Sequence, residues 1–271
     1  MGTLARLDSV DALNTAPFED AAPYLHDLPR LREMAARDGF LFFRRLVPEP
    51  IVVALRRAVL EFAAGAGWLD AQAPPGEARA AAGRRVGGYE DPDWIALQAH
   101  VQTQSEMWAL GDCVAIHRAL RAIDGRSSYL YLSTANTCRV FSPHPEMATR
   151  PHQDAHYVRL FADFWTVWLP LGDCPRELGG LALLSGSHLD GLRDHSGLGI
   201  DGGGVHVADD EVWSTADYRC GDAVFFRAHA LHRALPNVSG NRLRLSADFR
   251  YGFWEPTSEV DWRAESIRPD T

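Results

Sequence analysis

The stretch RPHQDAHY, residues 150–157, contains three side chains that could bind a metal ion: His152, Asp154 and His156. In a β-strand, residues two positions apart point to the same face, so His152 and Asp154 could present an imidazole and a carboxylate to one ion. The apolar run FWTVWLPL at 164–171 follows closely and is typical of a core strand. We therefore predict that residues 150–157 enter a sheet-based core and carry part of a metal site.

The same His-x-acid pattern occurs at two other places, and neither has a comparable context. In the copy at 144–146, His144 is flanked by Pro143 and Pro145, which disfavour a paired strand. The copy at 188–190 lies among small residues, in the segment SGSHLDG, which is typical of a turn. The copy at 152–154 is therefore the preferred candidate.

A third metal ligand is expected from the later stretch GDAVFFRAHALHRALPN, residues 221–237, which contains His229 and His232. These two histidines face opposite sides of a regular strand, and His232 lies closer to the polar turn and the arginine-rich strand that follow. We prefer His232 and keep His229 as the alternative. Two histidines and one carboxylate on one face leave open positions on the metal, an arrangement that suits iron(II) oxygen chemistry.

The stretch NRLRLSADFRY, residues 241–251, alternates polar and apolar side chains, as a strand with two different faces does. Such alternation is usual where the polar face is solvated. Beside a metal site, an arginine of this strand could instead hold the far carboxylate of a 2-oxo acid, with Ser246 adding a hydroxyl. Both Arg242 and Arg244 are candidates for this contact.

The composition excludes several classes of partner. The chain has 271 residues, 46% of them hydrophobic, and a formal net charge of −9. A negative chain of this kind is not suited to nucleic acid or to an anionic membrane as its main partner. No apolar run reaches the length of a membrane helix, and the N-terminal sequence is too acidic and too interrupted for a signal peptide. The four cysteines are widely spaced, which favours reduced thiols and a cytoplasmic location.

The chain contains no lysine, so all 27 of its basic residues are arginines. This excludes a Schiff-base or pyridoxal mechanism and a P-loop, because each of these needs a lysine amine. A carboxylate that this protein binds with a cation must therefore be bound by arginine, whose planar group suits two carboxylate oxygens.

The order of patterns along the chain predicts a helical part followed by a β-rich part. Helical patterns occupy 29–39, 48–64 and 92–123, the last broken near Gly111, and FLFFRRL at 40–46 is predicted to be a strand. After residue 127 the chain consists of short apolar or alternating runs separated by turn residues. We predict a single domain over 1–271 that is mainly β with flanking α-helices. Its helical part would cover about 1–125 and its β core about 126–255.

The segment at 65–90 is rich in glycine, alanine and proline and includes three arginines. Such a composition is typical of a loop between more regular elements. We predict that this loop is mobile and could act as a lid.

Several motifs of the chain resemble those of the phytanoyl-CoA dioxygenase family. They follow one another in the family's order: RPHQDAHY, WTVWLPLGD, GGLALLSGSH, GDAVFF and HRALPNVSGNRLRLSADFRY, covering about residues 128–251. The N-terminal segment DGFLFFRRLVP is similar to the family's opening strand. Proteins of this family are iron(II)- and 2-oxoglutarate-dependent oxygenases with a double-stranded β-helix, or jelly-roll, core. The resemblance implies this fold, with Fe(II) as cofactor and 2-oxoglutarate and O2 as cosubstrates.

The resemblance also implies roles for individual residues. Carried over to this sequence, the iron ligands and catalytic residues would be His152, Asp154 and His232. Trp168 would lie near the 2-oxoglutarate, and an arginine of NRLRLS would hold its distal carboxylate. Arg244 is preferred over Arg242 because it forms an Arg-x-Ser pattern with Ser246.

The implied reaction is hydroxylation of an unactivated C–H bond, with release of succinate and CO2. Because the net charge is negative and the one notable basic cluster is Arg79, Arg84 and Arg85, we expect a small metabolite or natural-product intermediate rather than an acyl-CoA substrate. Asn136 and Arg139 are the candidate substrate contacts. The alternatives are the same iron chemistry ending in epimerisation, cyclisation or desaturation, a non-redox jelly-roll metal-binding protein, and a zinc hydrolase. The sequence does not indicate the oligomeric state.

Overall fold

The structure is a computed structural model that describes residues 13–86, 91–125, 129–132, 135–145, 148–158, 163–195 and 204–254. Its helices are α1 Leu28–Asp38, α2 Glu49–Gly65, α3 Pro92–Gln102, α4 Ser105–Gly111, α5 Val114–Asp124 and the short α6 Asp154–Tyr157. Its strands are β1 Thr15–Pro17, β2 Phe40–Phe43, β3 Tyr129–Leu132, β4 Thr137–Phe141, β5 Phe164–Pro170, β6 Leu181–Leu184, β7 Trp213–Thr215, β8 Ala223–Arg227, β9 His232–Ala234 and β10 Arg244–Trp254. Within these residues, none of the helices has the length and apolar character needed to cross a membrane.

The helices lie where the sequence predicts them, and local signals explain where α1 begins and ends. The carboxylate of Asp27 accepts a hydrogen bond from the backbone N–H of Arg30 at 3.2 Å, which caps the start of the helix. Gly39 ends it with a φ of 77°, a left-handed conformation that glycine adopts at little cost. The predicted helical region at 92–123 is divided into three helices, because the chain turns at Thr103 as well as at Asp112.

Two sheets form the core. The larger sheet has the strand order β2-β8-β5-β10-β3, and β4 also pairs with β10. The smaller sheet has the order β1-β7-β6-β9. Strands β5 and β10 pair from Ser246 opposite Pro170 to Gly252 opposite Phe164, so two long antiparallel strands form the centre of the larger sheet. The predicted mainly β core with flanking helices is confirmed.

The predicted boundary between a helical part and a β core near residue 126 is wrong. Strand β1 pairs with β7 in the smaller sheet, and β2 pairs with β8 in the larger one. All four residues of β2 are buried, so this strand is an integral part of the sheet. The sequence predicts a strand at this position, but it does not predict that the strand joins the core sheet. A strand of four residues between two helices has too few positions to show which strand it pairs with.

The two faces of the larger sheet have different neighbours. Trp165, Val167 and Leu169 of β5 belong to a large apolar cluster that also contains the buried faces of the helices. The alternate residue Trp168 belongs to a second cluster, together with Leu181 of β6 in the smaller sheet. The larger sheet therefore has an outer face covered by helices and an inner face turned toward the smaller sheet. Polar residues on the inner face are the ones available for chemistry.

The segment predicted to be a mobile lid is anchored over its described part, 65–86. Trp68 is 0% exposed, and its backbone carbonyl accepts a hydrogen bond from the N–H of Ala81 at 2.9 Å. Farther along, the N–H of Ala80 donates to the carbonyl of Asn241 at 2.8 Å, and the carbonyl of Ala78 accepts from Leu243 at 2.8 Å. These contacts fix the segment on the chain just before β10, so the prediction of a mobile lid is wrong for these residues. Residues 87–90 lie outside the described part.

Candidate active site

The main chain brings His152 and His232 together. The two residues form an isolated antiparallel bridge, in which each backbone N–H donates to the carbonyl of the other at 3.0 Å. Directly after this bridge, Asp154 begins the short helix α6. The expectation that His152 and Asp154 share one face of a regular strand is therefore wrong. Instead, the backbone changes from extended at Gln153 to helical at Asp154, and this change brings the Asp154 carboxylate close to the two histidines.

One ligand atom from each of His152, Asp154 and His232 lies within 4.8 Å of the others. The ring centroids of the two histidines are 4.2 Å apart, and Nε2 of His232 is 3.5 Å from Oδ1 of Asp154. In the described part of the chain, no other group of three histidine, cysteine, aspartate or glutamate side chains meets in this way. The sequence-preferred triplet is thus brought together, whereas His229 and His156 lie outside it.

Each histidine of the cluster is oriented by a backbone carbonyl. Nδ1 of His152 donates to the carbonyl of Arg150 at 2.8 Å, and Nδ1 of His232 donates to the carbonyl of Ala230 at 3.0 Å. Because a carbonyl can only accept, the proton of each neutral ring is on Nδ1. Nε2 of each ring is therefore left with its lone pair, which is the form that binds a metal ion.

Asp154 is buried, and its second oxygen has its own partners. Oδ2 accepts hydrogen bonds from the hydroxyl of Thr166 at 2.7 Å and from Nε of Arg250 at 3.3 Å, and Nη2 of Arg250 is 3.2 Å away. Burial alone would raise the pKa of Asp154, but the guanidinium of Arg250 outweighs it and holds the pKa well below its usual range. Asp154 is therefore a carboxylate at neutral pH.

Burial, together with the neighbouring His232, lowers the pKa of His152 to about 3. His152 is thus neutral at neutral pH, as a metal ligand must be. Two neutral imidazoles and one carboxylate are the donor set of non-heme iron(II) sites, so these residues fit the ion implied by the sequence.

Arg244 and Ser246 lie on the inner face of β10 with polar atoms that lack partners. Arg244 is 1% exposed and Ser246 is 0% exposed. Nε and Nη2 of Arg244 and Oγ of Ser246 are buried without a hydrogen-bond partner among the described residues. The central carbon of the guanidinium lies over the Phe141 ring, 3.8 Å from its centre. Burial lowers the pKa of Arg244 to about 10, so it is still a cation at neutral pH.

A buried cation without a carboxylate partner is costly, and a hydroxyl beside it adds a second unsatisfied donor. A bound carboxylate would satisfy both groups with charge-assisted hydrogen bonds. Arg244 and Ser246 therefore fit the distal carboxylate of 2-oxoglutarate. Arg242 does not offer this, because its side chain is 39% exposed and its guanidinium pairs with Glu177.

The remaining predicted residues have protein partners. Trp168 is buried on the inner face of β5, with its ring 4.8 Å from that of Tyr218. Asn136 accepts the backbone N–H of Arg250 at 3.1 Å through Oδ1. Nε of Arg139 donates to Asp248 at 2.6 Å. The role of Trp168 near 2-oxoglutarate and the substrate contacts of Asn136 and Arg139 stay predictions.

Three residues of the site were not assigned a role from the sequence: Gln153, Thr166 and Arg250. Arg250 shares the polar face of β10 with Arg244, so the alternation already placed it on the same side. Thr166 is the polar residue of an otherwise apolar strand, which is a weaker signal. Gln153 carries no signal of its own, because its contacts depend on how the chain folds around α6.

Comparisons with known proteins agree with this geometry. A hydroxylase of 1-deoxypentalenic acid from Streptomyces arenae is 27% identical over 249 residues, which cover 86% of this chain and 84% of that protein. The 2-oxoglutarate-dependent epimerase SnoN from nogalamycin biosynthesis matches with a TM-score of 0.54 and 22% identity, covering 84% of this chain and 83% of SnoN. The non-heme monooxygenase ThoJ matches with a TM-score of 0.58 and 18% identity, covering 82% and 77%. These structures show the shared jelly-roll fold.

The model of the phytanoyl-CoA dioxygenase family matches residues 35–245. The match spans most of the chain and includes the three candidate metal ligands, Trp168 and Arg244, whereas Ser246 and Arg250 lie beyond its upper limit. Its lower limit falls within α1, upstream of β2, in agreement with the early start of the core. The protein therefore belongs to the phytanoyl-CoA dioxygenase family and is an iron(II)- and 2-oxoglutarate-dependent dioxygenase.

Proposed function

We propose that the protein hydroxylates an unactivated C–H bond of a small metabolite or natural-product intermediate, with His152, Asp154 and His232 as the iron ligands. The observation that carries this proposal is the pairing of two features on one inner face. Three ligand atoms lie within 4.8 Å of one another, and a buried arginine without a carboxylate partner lies on the same side of β10 as Arg250, which contacts Asp154. A site that binds only a structural metal has no need of the second feature.

Each group has a distinct task in this proposal. The two histidines and Asp154 hold the iron, and Arg244 with Ser246 binds the distal carboxylate of 2-oxoglutarate and so fixes its orientation. Bound iron(II) and 2-oxoglutarate supply an oxidation in which O2 delivers one oxygen atom to the substrate and one to succinate, with loss of CO2. The apolar cluster around Trp168 excludes water from the inner face.

Hydroxylation is favoured over the other outcomes of this chemistry by the relative from Streptomyces arenae, a hydroxylase whose similarity extends over 86% of this chain. The name of that relative also suggests 1-deoxypentalenic acid as the first compound to try. Structural neighbours include an epimerase and a carbocyclase, but their identities of 22% and 20% bear on the fold alone.

We further propose a single oxygenase domain that acts in the cytoplasm on a small molecule. All four cysteines are free, three of them buried, which fits a reducing compartment. The net charge of −9 gives no support to nucleic acid or an anionic membrane as a partner.

An oxygen-consumption assay tests the proposed function. Purified protein with Fe(II) and 2-oxoglutarate should consume O2 and form succinate, slowly alone and faster with 1-deoxypentalenic acid or a related acid. The variant Asp154→Ala should lose this activity, because it lacks the carboxylate ligand. A zinc hydrolase or a non-redox metal-binding protein would show no uptake that depends on 2-oxoglutarate, and that result would contradict the proposal.

A further inference from the structure

The two oxygens of Asp154 are in different surroundings. Oδ1 faces Nε2 of His232 at 3.5 Å, on the side where the histidines meet. Oδ2 points the other way, and its neighbours are the hydroxyl of Thr166 at 2.7 Å and Nε and Nη2 of Arg250 at 3.3 and 3.2 Å. An ionised carboxylate oxygen accepts about two hydrogen bonds, so these donors occupy Oδ2. These contacts hold the carboxylate in one orientation and leave Oδ1 available to a metal ion.

The fold delivers both donors to the same oxygen. Arg250 and Thr166 are direct partners in the pairing of β10 with β5, so their side chains emerge side by side on the inner face. Arg250 is in turn fixed at two further points. Its Nη1 donates to the carbonyl of Ala135 at 2.7 Å, and its backbone N–H donates to Oδ1 of Asn136 at 3.1 Å.

We propose that Arg250 and Thr166 are positioning residues that make Asp154 bind the iron through a single oxygen, Oδ1. The inference rests on the proposed metal site. If Oδ2 were free, the carboxylate could turn and place both oxygens on the metal, which would use one of the positions that 2-oxoglutarate and O2 need. The pair thus keeps three positions open, and its donors also stabilise the ionised form of the ligand.

A second carboxylate on the same face provides the contrast. Asp248, two residues before Arg250, accepts hydrogen bonds at Oδ2 from the hydroxyl of Thr137 at 3.0 Å and from Nε of Arg139 at 2.6 Å. It has the same kinds of donors and is 4% exposed, but it is not part of the three-residue cluster. Loss of its threonine donor should weaken the fold without affecting a metal ion.

Cobalt(II) binding, followed by visible d–d absorption, tests the proposal, because the band positions and intensities report the coordination of the ion. We expect Thr166→Val and Arg250→Lys to bind Co(II) roughly 10–100-fold more weakly than the wild-type protein, the range found for lost partners of metal ligands. Both spectra should also change, since Asp154 gains freedom to turn. Thr137→Val, the matched control, should keep the wild-type affinity and spectrum even if its melting temperature falls.

The possible failures are distinguishable. Wild-type affinity and spectrum in both Thr166→Val and Arg250→Lys would overturn the inference while leaving the metal site intact. Equal spectral changes in Thr166→Val and Thr137→Val would also overturn it, because the effect would then come from general loosening of the face. Failure of the wild-type protein to bind Co(II) would overturn the proposed metal site and the inference together. Should Arg250→Lys not fold, Thr166→Val alone decides the outcome, since it removes only one hydroxyl.

Discussion

His152 and His232 are paired through their main chains, and each backbone N–H donates to the carbonyl of the other at 3.0 Å. This bridge positions two side chains from distant parts of the sequence without relying on contacts between the side chains themselves. Replacement of either imidazole leaves the backbone hydrogen bonds in place. Variants at His152 and His232 are therefore expected to fold, and their effects can be interpreted as loss of metal binding.

The first prediction concerns the choice between the two histidines near β9. His232→Ala should bind Fe(II) or Mn(II) at least about tenfold more weakly, because one of three ligands is lost and about 1.4 kcal/mol corresponds to a factor of ten. His229→Ala should bind the metal like the wild-type protein, since the ring of His229 lies outside the cluster. Anaerobic titration followed by calorimetry measures both affinities. Weak binding in His229→Ala together with normal binding in His232→Ala would reverse the assignment.

The second prediction concerns Gln153, which lies between two candidate ligands and is 0% exposed. Its Nε2 donates to the carbonyls of Gly191 and His229 at 2.7 and 2.6 Å, and its Oε1 accepts from the N–H of Arg193 at 2.8 Å. A glutamate at this position would direct a carboxylate oxygen, which cannot donate a hydrogen bond, at these two carbonyls. Both carbonyls would then lose their hydrogen-bond donor. Gln153→Glu should therefore reduce the free energy of unfolding by at least about 2 kcal/mol.

Urea denaturation of the metal-free protein measures this loss. The exposed residue Gln72 offers the control, because its replacement by glutamate adds the same charge at the surface and should change stability by less than about 0.5 kcal/mol. Similar stability of the Gln153→Glu and Gln72→Glu variants would show that the contacts of Gln153 contribute little.

The sequence was sufficient to identify the inner face of β10, and the structure shows why. Alternation along 244–250 determines which residues share a face of the strand. It does not show whether the polar face is buried inside the protein or exposed to solvent. Joining the alternation to the His-x-Asp motif supplied the missing information. Alternation alone does not separate Arg242 from Arg244, which share a face, and the preference for Arg244 rests on the Arg-x-Ser pattern that the family resemblance implies.

Other features depend on long-range contacts that local patterns do not encode. The turn into α6 after His152 is stabilised by Gln153, whose partners come from segments around 191 and 229. The segment at 65–86 has the composition of a mobile loop, yet Trp68 anchors it in the core. In both cases the long-range contacts of one buried side chain, Gln153 or Trp68, determine a local structure that the composition of the surrounding segment does not predict.

The third prediction concerns acid stability and the ion pair of Asp248 with Arg139. Burial of Asp248 opposes its ionisation, but Arg139 and Arg250 lower its pKa below the usual 3.8. A group whose folded-state pKa is lowered stabilises the fold above its unfolded-state pKa and loses this contribution as the pH falls. Asp248→Asn should thus be less stable than the wild-type protein at pH 7, and the difference should narrow below about pH 4. Urea denaturation of the metal-free proteins at several pH values measures it; a difference that is constant with pH would contradict the ionic contribution.

The last prediction concerns Arg244 as the residue that binds the distal carboxylate of 2-oxoglutarate. Nε and Nη2 of this buried side chain have no partner among the described residues, whereas Arg242 is 39% exposed and already pairs with Glu177. A charge-assisted contact in a buried site contributes about 1.5–3 kcal/mol, while an exposed ion pair contributes less than about 1 kcal/mol.

Arg244→Ala should therefore raise the dissociation constant of 2-oxoglutarate at least about tenfold, as measured by anaerobic calorimetry on the Mn(II)-loaded protein. Arg242→Ala should change it by only a few-fold. Metal affinity should be the same in both variants, because neither side chain belongs to the three-residue cluster. If the two variants exchange their behaviour, Arg242 binds the carboxylate and the burial of Arg244 serves the fold. If neither variant weakens 2-oxoglutarate binding, neither arginine holds the distal carboxylate, and the assignment of this contact to the inner face beside Ser246 is contradicted.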